Sequence, residues 1–293
     1  MRSVRSIPSA LVAGFLAGVL ALAGLAGGCR GTSAQAAQPP AVPVSNDRAL
    51  EVGSGGPRAA PEARPAQDPP EAPPAARFDA PAGWESLTNL AFERAIDGWL
   101  PEGESRHVSE TTLADLRRAL GGPEVTAVRA AVMLARTRDP RAGEVLLERL
   151  EERVSTPPSE SRRDAVDVVA AAAFAGGMRA RAEAARLNSL AIGRKPHPSL
   201  AVRAECARSA LALGMDTPIP YLVSVLRLGT TAGRVASSEE NQDDLAWAQL
   251  RAAEALASRA GTESRYLPEG SVKDREEEAS RLEALLPRPK PRD

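Results

Sequence analysis

Between residues 127 and 152 the chain reads AVRAAVMLARTRDPRAGEVLLERLEE. Val125, Val128, Val132 and Ala135 recur at helical spacing, and Ala127, Ala130, Ala131 and Leu134 widen the stripe they form. An apolar arc this wide exceeds what a helix lying on a surface needs, so this helix is expected to be wedged between neighbours. Arg129, Met133 and Arg136 share its remaining polar face. Asp139-Pro140 breaks it and starts a second helix, with Ala142, Val145, Leu146, Leu150 and Val154 facing inward.

The same alternation runs through the rest of the chain from Trp84 onward. Ser86 is placed to cap a helix carrying Leu87, Leu90, Ala91, Ile96 and Trp99, and Pro101 ends it. Ser109 caps a helix with Leu113, Leu116 and Leu120, which Gly121-Gly122-Pro123 breaks. Further helices are expected over 161–175, 178–192, 200–213, 216–228, 245–260 and 271–286, the last bracing Glu277 against Arg281 at i,i+4. Turns at 155–158, Gly176-Gly177 and 194–198 separate them, and a longer polar loop spans 229–242. Helix pairs of this size, about four to five of them, predict an all-α protein in which each layer packs only on its neighbours, an α-solenoid. Trp84 and Trp99 are read as core at its first end.

The first thirty residues differ from all of this. Arg2 and Arg5 precede an apolar run over 11–25, and Leu25-Ala26-Gly27-Gly28-Cys29 closes it with small residues and a cysteine. That is the anatomy of a secretory signal over residues 1–28. Its ending resembles the lipobox of bacterial lipoproteins, with Ala26 where Leu is commonest. The resemblance implies a diacylglyceryl group on Cys29 and an address at the bacterial cell envelope. Arg30, where Asp would signal inner-membrane retention, favours the outer membrane facing the periplasm. The alternatives are ordinary cleavage after Ala34-Gln35-Ala36 and a retained transmembrane anchor, which the short, glycine-containing apolar run disfavours. Residues 29–83 are rich in Pro and Ala, with Phe78 as their sole aromatic, and predict a disordered spacer. Residues 288–293 form a basic tail.

Composition narrows the function classes. Aromatics make up only 3% against 43% hydrophobic residues, so Ala, Leu and Val must build the core, which suits closely approaching helices. A net charge of -1 supplies no general attraction to nucleic acid. Two cysteines allow no disulfide framework, and two histidines exclude a multi-histidine metal site. No metal and no small-molecule cofactor is expected. Cys206, set among Ala204, Ala207 and Ala210, reads as a small buried hydrophobe. Neither His107 nor His197 has an acid and a nucleophile at recognisable spacing, so no catalytic triad is expected.

Val128-Arg129-Ala130-Ala131 with Leu134-Ala135 returns as Val202-Arg203-Ala204-Glu205 with Ala210-Leu211, and as Leu250-Arg251-Ala252-Ala253 with Leu256-Ala257. These motifs resemble HEAT repeats, particularly the short bacterial form. The resemblance spans about residues 109–286, within a helical region at 84–287, and implies a HEAT-like α-solenoid. In the copy Ala165-Val166-Asp167-Val168, Asp stands where Arg belongs.

Arg129, Asp167, Arg203 and Arg251 would therefore recur in successive layers. They form either a polar ladder offered to an acidic partner or an internal brace in which Asp167 pairs with a neighbouring ladder arginine. Glu239, Glu240, Asp243 and Asp244 mark the polar loop as a second candidate binding site, and Trp247 is either partner-facing or core. The function expected is a non-catalytic scaffold at the envelope, binding a protein partner and joined to the membrane through Cys29. The alternatives are a structural tether between the outer membrane and cell-wall material, and an enzyme or enzyme subunit on a HEAT-like frame.

Overall fold

The computed structural model describes residues 76–155, 164–176, 181–229 and 239–286. The signal segment 1–28, Cys29, most of the spacer and the tail 288–293 lie outside the described residues, as does 230–238 of the polar loop. The described part is all-α apart from two short strands, and all of it belongs to one compact unit.

The chain enters this unit earlier than its composition suggests. Strand β1 (Ala76–Phe78) pairs in parallel with β2 (Arg106–Val108), and Phe78 is only 5% exposed. Residues 76–83, expected to belong to the spacer, are therefore part of the folded unit. The lone aromatic of that stretch is what holds it there, because its ring is buried in the core. A 3₁₀ turn over Trp84–Ser86 follows, and the first helix, α1 (Asn89–Trp99), is capped by Thr88 in place of Ser86: Ala91 N donates to Thr88 Oγ1 at 3.2 Å. Trp84 is buried, and Trp99 packs edge-on against Phe92 at 6.0 Å.

The remaining helices are α2 (Glu110–Leu120), α3 (Glu124–Thr137), α4 (Pro140–Ser155), α5 (Asp164–Ala173), α6 (Arg181–Ile192), α7 (Leu200–Ala212), α8 (Ile219–Leu226), α9 (Glu239–Ala260) and α10 (Val272–Leu285). Ser109, Ser199 and Ser271 cap α2, α7 and α10 by accepting the backbone N–H three residues on. Asp139 starts α4 with Oδ1 accepting from Arg141 N at 2.9 Å, while its Oδ2 takes the Val108 N–H of β2 at 2.8 Å. Burial pushes the Asp139 carboxyl upward, but hydrogen bonds from Arg141 and the two backbone N–H groups hold it below the ordinary range.

Two departures sit at helix ends. Helix α9 begins at Glu239, so Glu239, Glu240, Asp243 and Asp244 occupy its first turns instead of a loop. Acidic residues suit that position, where the helix dipole is positive. In α10, Arg281 pairs with Glu278 at 2.7 Å, and it is Lys273 that meets Glu277.

Contacts follow a regular order. Helix α3 packs on α5, α5 on α7 and α7 on α9, while each of α3, α7 and α9 also packs on the helix that follows it. Helix α5 is covered by α3, α4 and α7, which explains why Val166, Val168, Val169 and Ala170 to Ala173 are all buried. Small side chains let these axes approach closely, and Ser209 on α7 reaches the Ala171 carbonyl of α5 at 2.6 Å. Most of the wide apolar arc of α3 is used: Ala127, Val128 and Ala130 to Leu134 are buried, including Met133, which was expected on the polar face, whereas Val125 in the first turn is 44% exposed. The last carbonyls of α8 and of the turn after it are satisfied from other elements, by Gln249 Nε2 on Val225 O at 3.3 Å and Leu228 O at 2.6 Å, and by Tyr266 Oη on Leu226 O at 3.3 Å.

Candidate functional site

The motif positions lie on α3, α5, α7 and α9, and their charged side chains turn into the stack. Arg129 is 2% exposed, Asp167 0% and Arg251 6%, and Arg203 is half-buried. Buried charges must be paired and hydrogen-bonded, and each of these is paired differently.

Arg129 is held by neutral acceptors. Its Nη1 donates to Glu85 O at 3.0 Å and its Nη2 to Asn89 Oδ1 at 2.8 Å, and the guanidinium lies 5.4 Å from the Phe92 ring centre. Burial pulls its pKa down from the ordinary arginine value. Arg203 donates through Nε to Ala191 O at 2.9 Å and sits 5.0 Å over Tyr221. Arg251 lies 4.4 Å over Trp247, with its Nη1 2.6 Å from Glu254 and its Nε 3.2 Å from Glu205. All three motif arginines thus rest on an aromatic ring, a cation–π contact that the sequence spacing of Trp247 and Arg251 at i,i+4 signals for one of them.

Asp167 pairs with neither Arg129 nor Arg203, which corrects the expected brace. Arg149 Nε reaches Asp167 Oδ1 at 3.3 Å, Arg153 Nε reaches Oδ2 at 3.2 Å, and His197 Nε2 lies 3.6 Å from Oδ2. The physical reason is direction. Arg149 and Arg153 stand one turn apart on α4, which packs directly on α5, whereas the motif arginines point at the carbonyls and rings beside their own helices. The charge reversal at Asp167 is thereby answered by two arginines on the adjacent helix, and these are residues that sequence reasoning missed. Their i,i+4 spacing opposite an acidic motif position was the available signal. His197, flanked by prolines, is buried, and its Nδ1 accepts from Ser199 N at 3.2 Å.

A second buried carboxylate, Glu205 on α7, also went unnoticed in the sequence. Arg208 Nε meets its Oε2 at 2.7 Å and Arg251 Nε its Oε1 at 3.2 Å. Cys206, fully buried beside it, has its thiol pKa pushed up by burial and by the charges of Glu205 and Asp167, which suits an inert packing residue.

The burial of Arg129, Asp167 and Arg251 removes them from any surface ladder; they brace the stack internally. Trp247 is half-buried, packed against the core and covered by Arg251. Asp244 is half-buried on the first turns of α9, and the side chains of Glu239, Glu240 and Asp243 lie outside the described residues. His107 is exposed and meets the Arg141 guanidinium at 3.0 Å. Among the described residues no group of three or more His, Cys, Asp or Glu is placed to hold a metal ion, and no helix is long and apolar enough to cross a membrane.

Comparison of the chain with protein-family models, with curated proteins and with solved structures gives no match.

Proposed function

We propose that this chain is a non-catalytic scaffold at the bacterial cell envelope, anchored by a lipid on Cys29, whose helices form a HEAT-like α-solenoid that binds a protein partner. One observation carries the reading. The four copies of the motif lie on α3, α5, α7 and α9, and those helices pack on one another in chain order. A stack in which equivalent helices meet only their neighbours is the contact pattern of a repeat array. The motif charges support it, since each is turned inward to lock a helix to its surroundings. The binding surface then lies on the outward turns between layers, and the acidic start of α9 is a charged stretch within it.

Crosslinking in the native envelope followed by mass spectrometry tests the proposal. A protein captured through α9 supports it, and capture of cell-wall material alone through the spacer and tail contradicts it in favour of a tether. Metabolic labelling with a fatty acid, lost in Cys29→Ala, tests the anchor separately.

A further inference from the structure

Among the described residues, the charges in contact with Asp167 do not cancel. Arg149 and Arg153 bring two positive charges to one carboxylate, and both bond it through Nε alone. His197 adds no negative charge: its Nδ1 accepts from Ser199 N, so the ring proton sits on Nε2, facing Asp167. Arg149 Nη2 is buried and, among the described residues, has no hydrogen-bond partner.

The cluster around Glu205 shows what balance looks like in the same stack. There Arg208 and Arg251 face Glu205 and Glu254, two charges against two. Its unbonded atoms, Glu205 Oε1 and Arg251 Nε, lie 3.2 Å from each other and so satisfy one another electrostatically. Arg149 Nη2 has no such counterpart.

We propose that Arg149 and Arg153 bind a small oxyanion, a carboxylate or a phosphate, with Arg149 Nη2 as its buried donor. Two features favour this ligand. The surplus is one positive charge, which a single anion neutralises, and a planar guanidinium presents its N–H groups in a fork that matches the oxygens of carboxylate and phosphate. Arg149 Nη2 is sealed along with Asp167, but the rest of the Arg149 and Arg153 side chains remains 13% and 9% exposed, so an anion reaches this donor as the Arg149 guanidinium turns outward. The site lies within the helix stack and is independent of the partner surface proposed above.

The test is a thermal-unfolding titration of the full chain with sodium acetate and, separately, sodium phosphate, against sodium chloride at matched ionic strength. A saturable rise in Tm beyond chloride is expected with at least one oxyanion. Acetate alone assigns the carboxylate class, and phosphate alone the phosphate class. Arg149→Gln is expected to raise the apparent Kd on the order of tenfold or more, whereas Arg208→Gln in the balanced cluster leaves it unchanged. No saturable rise with either anion, or an undiminished response in Arg149→Gln, overturns the proposal. Should Arg149→Gln not fold, equilibrium dialysis of the unaltered chain with radiolabelled acetate and phosphate decides. Saturation at one anion per chain supports the site, and non-saturating uptake contradicts it.

Discussion

Asp167 on α5 and Glu205 on α7 are both carboxylates sealed inside the helix stack, and both are gripped by two arginines. Their surroundings nonetheless differ. Glu205 shares Arg251 with a second acid, Glu254, which is half-exposed. Among the described residues, Asp167 has both of its arginines to itself. Inside a medium of low polarisability the sum of charges matters more than the count of ion pairs. The comparison teaches that adjacent layers of one stack hold buried charge by different rules: one by balance, the other by a single acid that restrains an excess.

The largest effect is expected at Asp167. Asp167→Asn leaves Arg149 and Arg153 facing each other with no counter-charge, and such uncompensated burial costs about 3–5 kcal/mol. Glu205→Gln is milder, at about 1–3 kcal/mol, because Glu254 still holds Arg251. Urea-unfolding midpoints of the two variants rank them, and equal losses would erase the distinction between the layers.

The arginines invert that order. Arg251→Gln removes a balancing charge and strips the cover from Trp247, with an expected loss of about 1–3 kcal/mol. Arg149→Gln removes the surplus charge and leaves Arg153 with Asp167 one to one, so its loss is expected at about 1 kcal/mol or less. A comparably small effect is expected where no carboxylate is involved. Tyr221→Leu keeps the apolar packing beside Arg203 and forfeits the cation–π contact, about 0.5–1 kcal/mol, read from the thermal midpoint.

Much of this architecture was legible in the sequence for a physical reason. Apolar spacing on α2 to α10 reports which face is buried, and Gly, Pro, Ser and Asp report where helices stop and start, so the elements and the cap at Ser109 follow from local chemistry, while the first helix takes Thr88 as its cap in place of Ser86. Strand β1 was not legible, because three residues paired to a partner thirty positions away leave no local pattern. Partner identity was the harder matter. The Arg and Asp motif positions were visible as a set, but Asp167 turned toward α4, since pairing depends on which helix lies beside it and not on which position recurs. Arg149 and Arg153 stand on a helix rich in Glu, where nothing local sets them apart from the charged residues around them. The aromatic rings under Arg129 and Arg203 come from α1 and α8, and only packing brings them there.

The central claim is that the Asp167 layer carries one positive charge too many, and a double variant tests it most directly. Urea unfolding of Asp167→Asn, Arg149→Gln and the two combined forms a closed cycle. The account predicts that the double variant is more stable than Asp167→Asn alone, because removing Arg149 relieves the repulsion that the lost carboxylate exposed. A double variant that loses the sum of the two single losses would contradict it.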